Sequence, residues 1–123
     1  MLPNILLVDD RREHLALVSA LLERRGYCVL TALSGPAALT LFTIAPIDLV
    51  VLDYYMPGMD GGATAHELRR IRPEVPIIIF SGALTLPDRV MAMVDGFVST
   101  SEEPRVLLRT IDTLLAPVVA KAG

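Results

Sequence analysis

Leu49-Val50-Val51-Leu52-Asp53, continued by Tyr54-Tyr55-Met56-Pro57-Gly58-Met59-Asp60-Gly61, is the place to begin. The first four residues are apolar without polar alternation. Such a run reads as a short strand buried on both faces, as in parallel sheets. It stops abruptly at a carboxylate, and the proline and glycines that follow read as a loop.

Similar runs recur on either side. Ile5-Leu6-Leu7-Val8 is the first, and Val29-Leu30 with its flanks is the second. Ile77-Ile78-Ile79-Phe80 follows, and Gly96-Phe97-Val98-Ser99 is a weaker fifth. Helical periodicity fills the gaps. From Arg12 to Arg25, Leu15, Val18, Leu21 and Leu22 share one face, with Gly26 placed as a C-terminal cap. Ser34 can cap a second helix through Leu39 and Phe42 that must stop before Pro46. A third spans Gly62 to Arg72, with Leu68 and Ile71 inward and Pro73 as its stop. Pro87 opens a short fourth through Val90, Met91 and Val94. The last runs from about Glu103 to Leu115, with Leu107, Leu108, Ile111, Leu114 and Leu115 on its apolar side. Pro117 limits it, and the tail 117–123 is expected to fray.

Five alternations of strand and helix predict an α/β fold: a five-stranded parallel sheet, doubly wound, with helices on both faces. The 123 residues make one domain, with its core at about 4–116. Apolar residues other than glycine make up 53% of the chain. That exceeds the usual share of about 45–50%, which includes glycine, and suits a doubly covered sheet.

The net charge is −3, and no basic stripe with interleaved aromatics occurs, so direct nucleic-acid binding is not expected. No apolar run approaches the roughly 18 residues of a membrane span, and no leader pattern opens the chain. Neither secretion nor membrane insertion is expected. Cys28 is the single cysteine and reads as a buried, inert thiol. It can form no internal disulfide, which fits a reducing cytoplasm.

The chemistry collects at the strand ends. The first run ends in Asp9-Asp10, the third in Asp53 and the fourth in Ser81-Gly82. In a parallel doubly wound sheet, ligands gather beyond the carboxyl ends of the strands. Three carboxylates crowded there raise one another's pKa unless a cation joins them. Hard oxygen ligands of this kind suit Mg²⁺. An aspartate in such a place can act as a nucleophile toward phosphorus.

Asp53 to Gly61 resembles the loop that follows the phosphoacceptor aspartate in response-regulator receiver domains, with its Met-Pro-x-Met-Asp-Gly pattern. Ile5 to Asp10 resembles that family's first strand and acidic pair, and Ser34-Gly35 ahead of Ala38-Leu39 resembles its second helix start. The likeness covers about residues 4–116. It implies a flavodoxin-like sheet and two-component signalling. Asp53 would accept a phosphoryl group from a sensor histidine kinase or phosphotransfer protein. Asp10 would ligate Mg²⁺ directly, and Asp9 directly or through water, with Asp53 and the Tyr55 backbone carbonyl completing the protein's share. Ser81 would contact the phosphoryl oxygens, and Phe97 would switch rotamer with it. The surface of the fourth helix, fifth strand and fifth helix would carry the signal to a downstream protein or a second copy. No enzyme activity beyond autodephosphorylation is implied.

The chain departs from the pattern at one place. The family carries a lysine just after the fifth strand, and Thr100 falls there. Lys121, the only lysine, lies in the tail. Thr100-x-x-Glu103 has the form of a capping box opening the last helix. Arg11 could supply a cation, but the plainer expectation has Arg11 and Arg12 solvated at the start of the first helix. His14 and His66 read as surface or structural residues, Met56 and Met59 as locally packed, and Met91, Met93 and Val94 as core. The span from Ser81 to Thr100 is short for the family, so the fourth helix is expected to be short or altered. Two readings follow: a working receiver, or a degenerate one that serves as a phosphorylation-independent interaction module. A phosphohydrolase is disfavoured, since the chain has Asp-Asp rather than Asp-x-Asp and no length for a cap domain.

Overall fold

The computed structural model describes residues 2–122. The apolar runs form strands β1 (Asn4–Val8), β2 (Cys28–Ala32), β3 (Leu49–Leu52), β4 (Ile77–Ser81) and β5 (Gly96–Ser99). They pair in parallel in the order β2-β1-β3-β4-β5. All four residues of the central β3 are buried. Each such Leu or Val contributes about 1.5–3 kcal/mol on burial, enough to hold the run at the middle of the sheet.

Between the strands lie α1 (Arg12–Arg24), α2 (Gly35–Ile44), α3 (Gly61–Ile71), α4 (Asp88–Met91) and α5 (Pro104–Ala122). Alternate strand residues face opposite layers. Leu6, Val8, Val50 and Leu52 join Phe42 of α2 and Leu68 of α3 in one core. Ile5, Leu7, Val51 and Ile78 join Leu15 and Leu22 of α1 and Ile111 of α5 in the other. The doubly wound expectation is met. Ser34 caps α2 as expected, its hydroxyl accepting from the Ala37 N–H at 3.2 Å. Asp60 caps α3 in the same way, accepting from Ala63 at 2.8 Å.

Four local expectations are corrected. Cys28 is exposed, because β2 is an edge strand and Cys28 opens it. The last helix does not stop at Pro117; its backbone continues to Ala122, while Gly123 lies outside the described residues. Pro117 deprives the Thr113 carbonyl of its helical donor, but Thr113 and Pro117 are exposed, so solvent can serve that carbonyl. The capping box does not form. Pro104 suits the first turn of a helix and opens α5 there, leaving Thr100 in the preceding turn. Glu103 pairs with Arg105 at 2.6 Å rather than reaching back. Finally, α4 is a single turn that buries Val90 and leaves Met91 46% exposed, while Met93 and Val94 are half-buried. The short fourth helix was expected; an exposed Met91 was not.

One glycine ties this fold to its chemistry. The Gly61 N–H donates to the Tyr54 carbonyl at 2.7 Å, closing the loop after β3. A Cβ on Gly61 would lie 2.5 Å from the Asp53 carbonyl oxygen and 2.7 Å from the Tyr54 Cα. Neither backbone atom can yield without moving Asp53. Gly61→Ala is therefore expected to cost about 1–3 kcal/mol in urea denaturation. An unchanged denaturation midpoint would contradict this close approach.

Candidate functional site

The strands deliver their end residues in register because pairing continues past each of them. The Asp9 N–H donates to the Ala32 carbonyl at 3.1 Å, the Asp53 N–H to the Val8 carbonyl at 2.9 Å, and the Thr100 N–H to the Ser81 carbonyl at 3.1 Å. Asp9 and Asp53 therefore emerge side by side at the point where the strand order reverses, between β1 and β3. Carboxylate oxygens of Asp9, Asp10 and Asp53 all lie within 4.8 Å of one another. Asp9 is 3% and Asp53 6% exposed, whereas Asp10 faces solvent. A shallow cavity of about 350 Å³ opens over them, lined by Asp10, Arg11, Asp53, Tyr55, Ser81 and Thr100, with Gly82.

Burial, and then the charge of Asp9, push the Asp53 carboxyl above its ordinary range. The Arg11 charge, the Tyr54 N–H at 2.8 Å and the Ser81 hydroxyl pull it back without cancelling the rise. Burial also pushes Asp9 upward, but hydrogen bonds from Arg11 and His14 outweigh it and hold Asp9 below the usual carboxylate range.

Two of those residues were expected elsewhere. Arg11 is not merely solvated. Its backbone N–H and Nε meet Asp9 Oδ1 at 2.9 and 3.2 Å, and its Nη2 meets Asp9 Oδ2 at 3.2 Å. The same Nη2 lies 3.7 Å from Asp53 Oδ2. His14 is not a bystander on α1 either. Its Nδ1 lies 2.5 Å from Asp9 Oδ2, and its ring stacks on Phe80 with centroids 5.8 Å apart. The signal in the sequence is the spacing. An aspartate at the strand end can accept from the N–H two residues on, and a helix starting at Arg12 brings residues 11 and 14 to one side. Arg12 is exposed, as expected, and His66 is exposed on α3, away from the carboxylates.

Ser81 is fully buried at the end of β4, and its Oγ accepts from the Ala83 N–H at 3.3 Å. Phe97 is half-buried beside Ile79, Ala83, Leu86 and Val90, beneath the single-turn α4. Thr100 borders the cavity without a charge. The Tyr55 side chain is 64% exposed, and the residue lines the same cavity. Met56 is buried in the α2–α3 core, and the Met59 sulfur lies close against Gly35.

The donor set fits a hard divalent cation. Its atoms are carboxylate oxygens, and they are close enough to share one ion. A larger hollow of about 740 Å³ lies between α3 and α4, bordered by Met59, His66, Arg89 and Met93, away from this chemistry.

The comparisons with known proteins agree with this geometry. Residues 5–111 match the family model described as the response regulator receiver domain. The chain is 33% identical over 115 residues to the probable transcriptional regulator ycf27 of Cyanidium caldarium, covering 91% of this chain and 46% of that protein. It spans less than half the length of such curated relatives. Among solved structures it resembles the response regulator protein TrrA of Thermotoga maritima in complex with Mg(2+)-BeF, with a TM-score of 0.89, 31% identity, and 93% and 100% of the two chains covered. A structure of histidine kinase ThkA in complex with TrrA contains a similar chain, at a TM-score of 0.87 and 31% identity, with 93% and 99% covered. A strand-end acidic cluster, the loop after Asp53 and the matched sheet converge: this chain belongs to the response regulator receiver domain family.

Proposed function

We propose that the domain accepts a phosphoryl group on Asp53 from a sensor histidine kinase or a phosphotransfer protein in the cytoplasm. The observation that carries this reading is the placement of Asp53, nearly buried beside Asp9 and Asp10 and facing an open cavity with the Ser81 hydroxyl. In the transfer, an Asp53 carboxylate oxygen forms the new P–O bond. The bond from phosphorus to the donor atom breaks, and the leaving group takes its electron pair. Asp9, Asp10, Asp53 and the Tyr55 carbonyl would hold Mg²⁺, which supplies charge neutralisation to the phosphoryl oxygens when bound.

Asp53 is the nucleophile in this reading, its carboxyl raised by burial and then by the charge of Asp9. Ser81, which borders the cavity, would hydrogen-bond the incoming phosphoryl group. Phe97, packed against the cluster under α4, would pass that change to the α4-β5-α5 surface. A downstream protein or a second copy would read it there. The domain's own chemistry would be limited to uptake of the group and its hydrolytic loss. No nucleic-acid contact is assigned to these residues. The ThkA–TrrA complex supports a kinase as the partner class.

A second reading is favoured by one observation, the neutral Thr100 at the cavity where the family carries lysine. Under it the domain is an interaction module that works unmodified. Incubation with Mg²⁺ and acetyl phosphate, read by intact mass, separates the two. Wild type is expected to gain one phosphoryl group and Asp53→Asn none. No gain in wild type, with Mg²⁺ bound, contradicts the receiver reading and favours the module.

The raised Asp53 also has a consequence for stability. Its folded pKa lies above the unfolded value of about 4, so ionised Asp53 opposes folding near neutral pH. That cost fades as pH falls through the folded value toward the unfolded one. Asp53→Asn is expected to raise stability at neutral pH by about 1 kcal/mol, or roughly 3–6 °C in Tm. The gap is expected to narrow at acid pH and on adding Mg²⁺. A lower Tm for Asp53→Asn at neutral pH would contradict the charge balance described above.

A further inference from the structure

Phosphorylation changes the charge of the site. It consumes the single negative charge of Asp53 and leaves a phosphoryl group that carries about two. The pocket therefore needs more positive charge after transfer than before. Thr100 offers none. The guanidinium nearest to Asp53 is that of Arg11, with Nη2 at 3.7 Å from Asp53 Oδ2. The Arg11 side chain is 54% exposed and borders the cavity, so there is open space beside it toward Asp53.

Its present contacts engage both oxygens of Asp9. Nε meets Oδ1, Nη2 meets Oδ2, and Nη2 also lies 3.2 Å from His14 Nδ1. Asp9 is one of the carboxylates that a divalent cation would use. A metal ion and the guanidinium cannot both hold the same two oxygens in this way. From this arrangement, and resting on the receiver reading above, we infer that Arg11 is a two-position cation. It neutralises Asp9 in the metal-free domain, yields Asp9 to Mg²⁺, and then pairs with the phosphoryl group on Asp53 in place of the absent lysine.

The chemistry favours this exchange. Arginine's planar donors match a phosphoryl group at two oxygens, which a lysine point charge does not. Arg11 follows β1 and Thr100 follows β5, and these strands flank β3, which carries Asp53, on either side in the sheet order. The counter-charge would thus come from α1 rather than from the β5–α5 turn. The β5–α5 turn would be freed from holding the phosphoryl group. With Mg²⁺ and Arg11 both in place, the three carboxylates are neutralised before transfer and only one net negative charge remains after it.

The inference demands two opposite effects from one substitution, which a merely structural arginine would not give. Mg²⁺ affinity is measured by titration calorimetry and phosphoryl uptake from acetyl phosphate by intact mass at saturating Mg²⁺. Arg11→Ala is expected to bind Mg²⁺ about three- to tenfold more tightly, having lost the competitor, while taking up phosphate about tenfold more slowly. Arg11→Lys, which keeps the charge but not the paired donors, is expected to fall between wild type and Arg11→Ala. Thr100→Lys in the Arg11→Ala background is expected to restore the rate, which also establishes that the single variant is folded. Uptake by Arg11→Ala at the wild-type rate, or Mg²⁺ binding no tighter than wild type, overturns the inference and leaves the receiver reading intact. Absence of uptake in wild type overturns both.

Discussion

Three carboxylates whose oxygens lie within 4.8 Å of one another repel when charged, and a cation among them relieves that repulsion. Much of what surrounds the site follows from that constraint. The sheet imposes the crowding, since Asp9 and Asp53 are held by backbone hydrogen bonds to Ala32 and Val8 at the ends of neighbouring strands. Those bonds fix the backbone of both residues, so the carboxylates can separate only by side-chain rotation. The counter-charge is adjustable as well, and here Arg11 and His14 supply partners to Asp9 while Asp53 is left above its ordinary range. The difference between two adjacent aspartates is thus one of neighbours. One is held by two side-chain partners, and the other lies beyond their reach but for the more distant Arg11 charge.

The division of labour extends into the layers. The loop between Asp53 and Gly61 is closed by the Gly61 N–H on the Tyr54 carbonyl and by Asp60 capping α3. On the other side, Ser81 ends β4 and its neighbours lead into the cluster of Ile79, Ala83, Leu86 and Val90 that holds Phe97. Because α4 is one turn long, this cluster is covered by few residues. Arg69 compensates by fixing the chain that follows. It donates to the Met93, Val75 and Pro73 carbonyls and pairs with Asp95. The element between Ser81 and β5 is therefore a small apolar plug with a pinned exit. A movement of Ser81 would reach the surface through Phe97 rather than through a long helix.

The sheet was legible because its strands are apolar runs without alternation, which only a doubly covered sheet can bury. Asp9 and Asp53 were legible because each follows such a run directly, and Asp10 because it comes next. What escaped the sequence reading depends on contacts across a junction. Arg11 looked solvated because arginine at a helix start usually is, and only the turn from Asp9 aims it inward. His14 pairs with a carboxylate five residues away across the end of β1, a spacing that neither helix nor strand periodicity makes conspicuous. Cys28 looked buried because its neighbours are apolar, but strand order along the sheet decides which run lies at an edge. Thr100 and Glu103 have capping-box spacing, yet Pro104 sets where α5 begins and removes them from register.

The role of Arg11 gives the site its individual character. A crystal structure with Mg²⁺ and beryllofluoride, a mimic of the phosphoryl group, would examine it at atomic level. The expected result has the mimic on Asp53, Mg²⁺ among Asp9, Asp10 and Asp53, and the Arg11 guanidinium moved from Asp9 to hydrogen-bond the fluorides. Arg11 still paired with Asp9, or turned to solvent while the mimic occupies Asp53, would contradict it.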